Sequence, residues 1–272
     1  AVLYWRMAQR FTGTRWSVLA GAAAFALRLL GFGNVNALAQ RIAFVIATGP
    51  SSGTYFPVGQ TIAGLISHPP GVDRCARPSA CGPEGLIASA QTSPGAFANV
   101  VAVESGRVDS ALAQSDIVAQ AVSGNGAFKR PQSHVRVIAG LFPEDVHLVV
   151  AMRSHINNIT QLRRKRVSLG AVNSGTAVTA RAVLSAFRVK ANTSNESADL
   201  AAQNLHAGKL EAFFFVGGTP VPLVDGLVSS GAAKLLTIDG KGRDVLLAHE
   251  TGLSDATLAA GPSSPSPYVN TV

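Results

Sequence analysis

Aromatic and charged residues are both scarce in this chain: 6% of its 272 residues are Phe, Trp or Tyr, and 14% are charged. A core poor in rings must be made mainly of Ala, Val, Leu and Ile. With 47% of the chain apolar, that composition suits a layered α/β protein and excludes a disordered one. The six histidines are scattered with no pair at ligand spacing, and there are only two cysteines, which argues against a zinc site. No basic stripe with interleaved aromatics is present, so nothing marks a nucleic-acid surface. Beyond the first forty residues no run is long and apolar enough to span a bilayer.

Those first forty residues differ from the rest. Arg6, Arg10 and Arg15 precede the alanine-rich apolar stretch Trp16 to Leu30, and the segment closes on Ala37-Leu38-Ala39. A basic n-region, a short h-region and an A-x-A site predict a secretory signal over residues 1–39, cut before Gln40. An uncleaved anchor helix is the alternative, disfavoured by Arg28 and by the shortness of the apolar run. The leader holds four arginines and no acid, so the 23 basic residues fall to 19 against 15 acids, a net charge of +4. In an exported chain, Cys75 and Cys81 suggest a disulfide pinning a local loop, with two free thiols as the alternative.

The organising stretch is Ile42 to Ala47, an unbroken apolar run that predicts a strand buried on both faces. After Thr48 comes a loop of small and hydroxyl residues, Gly49-Pro50-Ser51-Ser52-Gly53-Thr54-Tyr55. Tyr55, Val58, Ile62 and Leu65 then recur at helical spacing. Strand, small-residue loop and helix together aim backbone N–H groups at an anion.

The order then repeats. Ser52-Gly53-Thr54 returns as Ser174-Gly175-Thr176, each after a predicted strand and before a helix. Gly106-Arg107-Val108-Asp109-Ser110 returns as Gly208-Lys209-Leu210-Glu211-Ala212, each after a helix and into a strand. Two similar lobes follow, residues 40–145 and 146–272. In open α/β sheets ligands bind beyond the carboxyl ends of strands. Two facing lobes would therefore line a cleft with the loops at Ser51–Thr54, Gln114–Asp116, Asn173–Thr176 and Gly217–Pro220.

The same residues resemble the TAXI-type solute-binding subunits of TRAP transporters. The resemblance rests on Gly53-Thr54-Tyr55-Phe56-Pro57-Val58-Gly59, on Asn99 through Ser105-Gly106 to Gln114-Ser115-Asp116, and on Pro143-Glu144 with His147-Leu148-Val149-Val150. It continues through Lys165-Arg166-Val167-Ser168-Leu169-Gly170, Ser174-Gly175-Thr176 and Gly208 to Gly217-Gly218 and Pro220. It implies a periplasmic receptor of two-lobed, type II periplasmic-binding-protein-like α/β fold. Such a receptor captures an amino acid or a dicarboxylate (glutamate-like or 2-oxoglutarate-like), carries no cofactor and delivers its ligand to membrane subunits. Val146–Met152 would be its first crossing strand, with Glu144 and His147 in hinge or packing roles. The family's second crossing strand would start near Thr271-Val272, which leaves its return strand and C-terminal helices absent. Ser52, Ala96 and Asn173 depart from the family pattern.

The expected ligand contacts are Thr48, Ser51, Ser52, Gly53, Thr54, Tyr55, Asn99, Gln114, Asp116, Asn173, Ser174, Gly175, Thr176, Gly217, Gly218 and Pro220. Several have a plain alternative: Ser51, Ser52 and Thr54 as helix caps, Asp116 as an N-cap, Tyr55 as a core ring, Asn99 as a turn, and Gly217 and Gly218 as a tight turn. Arg163 to Arg166 read as a solvated face. No arginine clamp stands out, which disfavours very acidic ligands. A rival reading is a secreted serine hydrolase, since Gly49-Pro50-Ser51-Ser52-Gly53 matches G-x-S-x-G and Asp225 and His249 follow. Against it, Pro50 directly precedes the candidate nucleophile. A third reading is an exported paralogue that binds nothing.

Overall fold

The computed structural model of the protein describes residues 2–5, 41–71 and 81–249. In the first lobe, β1 (Val2–Trp5), β2 (Ile42–Ala47), β3 (Leu86–Gln91), β4 (Ser110–Ala113) and β5 (Val137–Gly140) form one sheet in the order β3-β2-β4-β1-β5. β3, β2 and β4 are parallel, while β1 runs antiparallel to both β4 and β5. The helices are α1 (Tyr55–Ile66), α2 (Ala96–Glu104) and α3 (Ser115–Ser123).

The second lobe repeats the plan. β6 (Asp145–Ala151), β7 (Arg166–Ser168), β8 (Asn192–Ser194), β9 (Ala212–Gly217) and β10 (Ala233–Leu235) lie in the order β10-β6-β9-β7-β8. With them are α4 (Gly175–Ala186), α5 (Ala198–His206), α6 (Pro222–Ser229) and α7 (Lys241–His249). In each lobe a parallel trio is linked by helices: β2 lies between β3 and β4, as β7 lies between β8 and β9.

The second of the two repeated signatures has the same physical job in both lobes. Gly106 and Gly208 follow helices with φ of 69° and 74°, left-handed values that glycine adopts without a Cβ clash. The acid just before the third strand then clamps the central one. Asp109 accepts from Val45 N at 2.9 Å and donates its own N–H to Val45 O at 3.1 Å. Glu211 accepts from Arg166 N at 2.7 Å and donates to Arg166 O at 3.0 Å. Arg166 also forms an ion pair with Glu211, so it is not merely part of a solvated basic face.

Side-chain alternation builds the second lobe's core. Leu148, Val150, Val167 and Phe214 pack on one side of the sheet with α4 and α7. Val149, Ala151, Phe213 and Phe215 pack on the other with α5 and α6, as the two-residue period of strands requires.

One expectation is corrected here. Burial of β2 on both faces holds only for Ile46 and Ala47. β4 pairs with those two residues alone, so among the described residues the amino-terminal half of β2 has a strand neighbour on one side only. Val2–Trp5, which falls within the expected leader, fills the slot between β4 and β5. Those two strands face each other across the width of one strand, and their inward N–H and C=O groups need a partner. The remainder of the leader, with the cleavage site, lies outside the described residues, as does Cys75 of the expected disulfide. The short polar strand β8 and the elements β10 and α7 were not anticipated. Among the described residues, no helix is long and apolar enough to cross a membrane.

Asp109→Ala removes the acceptor for Val45 N at a partly buried site. Urea unfolding should show a loss of roughly 1–3 kcal/mol, against a smaller loss for Glu211→Ala at the more solvated equivalent.

Candidate functional site

Between the lobes lies a cavity of about 290 Å³. The starts of five helices reach its wall. Thr54 and Tyr55 open α1, Gly95 and Ala96 open α2, and Gln114 precedes α3. Ser174, Gly175 and Thr176 open α4, and Ser197 and Ala198 open α5. First-turn N–H groups have no partner within their own helix and carry partial positive charge. Ser174 and Ser197 cap their helices, accepting from Ala177 N at 3.0 Å and Leu200 N at 3.4 Å. The N-caps of α1, α2 and α3 make no side-chain cap bond.

The two sides meet through small groups. Ser52 Oγ donates to Asp199 Oδ2 at 2.7 Å and Thr54 Oγ1 to Gly218 O at 2.9 Å. Ala98 N donates to Asn173 O at 3.1 Å. Thr179 Oγ1 donates to Asp116 Oδ2 at 2.8 Å and accepts from Gln114 Nε2 at 3.4 Å. Gly175 sits so close to the first lobe that a Cβ there would overlap Gln114 Oε1 and stand 2.9 Å from the Ala96 Cβ. Only glycine allows this approach.

Of the expected contacts, Gly53, Thr54, Tyr55, Gln114, Ser174, Gly175, Thr176 and Gly217 line the cavity. The others do not. Thr48 is fully buried and its Oγ1 donates to Gln91 O at 2.7 Å. Asn99, also fully buried, donates through Nδ2 to Thr48 O and Leu112 O, tying the ends of β2 and β4 together beneath the wall. Asp116 is not the N-cap of α3, which is Gln114; its carboxylate instead accepts from Ile117 N and from Thr179. Asn173 turns the chain at φ 62°. Ser52 and Gly218 are spent on the contacts between lobes, and Pro220 follows a cis peptide bond on an exposed surface. Ser51, the nucleophile of the hydrolase reading, is exposed and off the cavity wall.

Sequence reasoning missed other wall residues, among them Gly49, Pro50, Ser93, Gly170, Glu196, Phe214 and Phe215. Glu196 and Ser197 were within reach of it, since Ser197 is a residue type that caps helices and does cap α5 here. Among the described lining residues there is no Lys, Arg or His.

Behind the wall, Tyr55 Oη donates to Glu144 Oε2 at 2.9 Å in a buried contact, so Tyr55 is both a wall and a core residue. Burial pushes the Glu144 carboxyl above its usual range, opposed in part by that hydroxyl. On the neighbouring β6, burial lowers His147 to about 4, opposed by the Phe215 and Asp145 backbone. Its Nδ1 lies 3.3 Å from Phe215 O.

Two facing α/β lobes, each with a parallel trio and crossed by antiparallel strands, form the two-lobed fold of periplasmic solute-binding proteins. The chain belongs to the NMT1-like family, whose model matches residues 46–272. Among solved structures, a protein of Bordetella bronchiseptica RB50 is 17% identical, over 72% of this chain and 56% of that one, with a TM-score of 0.51. The alkanesulfonate-binding protein SsuA from Xanthomonas axonopodis pv. citri, bound to MOPS, is 16% identical over 73% of this chain and 61% of that one, with a TM-score of 0.48. The chain thus spans about six-tenths of the length of those two proteins.

The depressed His147 predicts a pH effect with a definite sign. Its folded pKa of about 4 lies below the unfolded 6.5, so between these values the unfolded state binds more protons. Stability from this group is full above pH 6.5 and falls toward pH 4, by on the order of 3 kcal/mol. Glu144, raised in the fold, acts in the opposite sense but equally in wild type and His147→Gln. Chemical denaturation from pH 7 to 4 should therefore show a steeper loss in wild type than in that variant.

Proposed function

We propose that this chain is an exported solute-binding receptor that captures a small carboxylate between its lobes and hands it to the membrane subunits of a transporter. Within that class, the sequence motifs favour the TAXI type serving a TRAP transporter, working in the periplasm without a cofactor. The observation that carries the reading is the convergence of five helix starts on one cavity whose described lining includes no cationic side chain. Each helix-end contact with an anion contributes about 0.3–1 kcal/mol, and up to about 2 when partly buried. Five such contacts sum to about 1.5–5 kcal/mol, and to about 10 at the partly buried limit, which brackets the roughly −8 kcal/mol of a micromolar complex. The ligand-contacting residues are proposed to be those expected contacts that line the wall, with Ser52, Asp116, Asn173 and Gly218 holding the lobes together around it.

Export with cleavage before Gln40 removes β1 and opens the facing edges of β4 and β5 to another strand. N-terminal sequencing of the periplasmic form should read Gln40; a protein retaining Val2–Trp5 contradicts processing at that site. Alkylation without reductant should leave Cys75 and Cys81 unlabelled if they are bonded.

Thermal-shift measurements with monocarboxylates, dicarboxylates, 2-oxo acids and amino acids should give at least one concentration-dependent rise in melting temperature. Gly175→Ala should weaken that ligand by about tenfold or more, because the new methyl keeps the lobes apart. The ligand-free protein should keep its stability, since alanine suits a helix better than glycine. A variant that binds normally would show that the contact at Gly175 does not matter to capture.

A further inference from the structure

Glu196 is the one acid among the described residues of the cavity wall, and its carboxylate is held in place rather than left to swing into solvent. Ser194 Oγ donates to Oε1 at 2.8 Å and Asn204 Nδ2 donates to Oε2 at 3.0 Å. A carboxylate oxygen has more than one acceptor site, so each can take a further donor from a ligand. No Lys, Arg or His among the described lining residues offsets its charge. A bare dicarboxylate would thus meet a like charge in a partly enclosed site, where Coulomb repulsion is weakly screened. Phe214, Phe215 and Val172 supply an apolar surface to the same cavity.

We propose that Glu196 is a specificity-determining residue that accepts from the ammonium of the ligand, so the cavity selects a zwitterion: an α-amino acid with an apolar side chain. This rests on the carboxylate reading above, which it narrows. The helix starts take the ligand carboxylate, Glu196 takes the amine, and the apolar wall takes the side chain. Dicarboxylates and 2-oxo acids fill only part of that pattern and leave Glu196 facing an anion.

Matched pairs separate the two levels of the reading. Titration calorimetry on the full chain would compare L-alanine with pyruvate, L-leucine with 4-methyl-2-oxopentanoate and L-phenylalanine with phenylpyruvate. Each oxo acid keeps the carboxylate and skeleton but lacks the amine. In at least one pair the amino acid should bind about tenfold or more tightly, the usual scale of a charge-assisted hydrogen bond. Glu196→Gln should remove most of that preference by weakening the amino acid while leaving the oxo acid equal or stronger. Glu196→Asp, which keeps the charge, should retain part of the preference. Oxo acids binding as tightly as their partners, a preference that survives Glu196→Gln, or binding confined to dicarboxylates would each overturn the assignment and leave the carboxylate reading standing. No binding of any carboxylate would overturn both. If Glu196→Gln fails to fold, the wild-type ratios and Glu196→Asp still decide.

Discussion

An α-helix cannot satisfy its own first N–H groups, and this fold turns that defect toward one place. Five helices begin at the seam between the lobes because both sheets direct the carboxyl ends of their parallel strands to the same side. The proposed capture of an anion would therefore be a property of topology more than of any single side chain, and would need no cation among the described wall residues.

The seam depends on small residues. Gly175 leaves room for Gln114, and Gly218 brings its carbonyl to Thr54. A Cβ at Gly218 would stand 2.8 Å from the ring of Phe142 in the first lobe. Backbone can then approach backbone from opposite lobes, which keeps the helix starts close enough to share one ligand.

Much of this was legible in the sequence because it is written in local chemistry. Ser-Gly-Thr before a helix and Gly-Lys/Arg-x-acid before a strand recur in order, and the structure gives both copies the same hydrogen bonds: Asp109 to Val45 and Glu211 to Arg166. What stayed hidden depends on distance along the chain. Asn99 has the residue type of a ligand contact, yet its partners are the carbonyls of Thr48 and Leu112, 51 and 13 positions away. Spacing alone does not reveal that the strand ends need a clasp there. Glu196 was missed for the opposite reason: a polar residue between a short strand and a helix looks like solvated linker until the first lobe closes over it. The strand Val2–Trp5 was read with the basic, apolar segment that follows it, because nothing local shows that β4 and β5 leave a slot of one strand's width.

The bonds joining the lobes are hydroxyl, amide and backbone contacts, apart from the carboxylates of Asp199 and Asp116, each of which accepts from a hydroxyl. Net contributions of such bonds are about 0.5–1.5 kcal/mol each, with more for a charged acceptor. Unlike the second lobe's interior, where Phe213, Phe214, Leu148 and Leu205 are sealed from water, the seam contributes little apolar burial through these groups. Each lobe is thus stabilised largely by its own core, while among the described residues their union combines a few weak polar links with the packing of Val178 against the first lobe's core. A guest that touches helix starts from both sides adds bonds of the same size to the same seam, so a small molecule is enough to shift the balance between separated and joined lobes. Under the proposed receptor role, release of cargo would require that near-balance, and a large hydrophobic seam would destroy it.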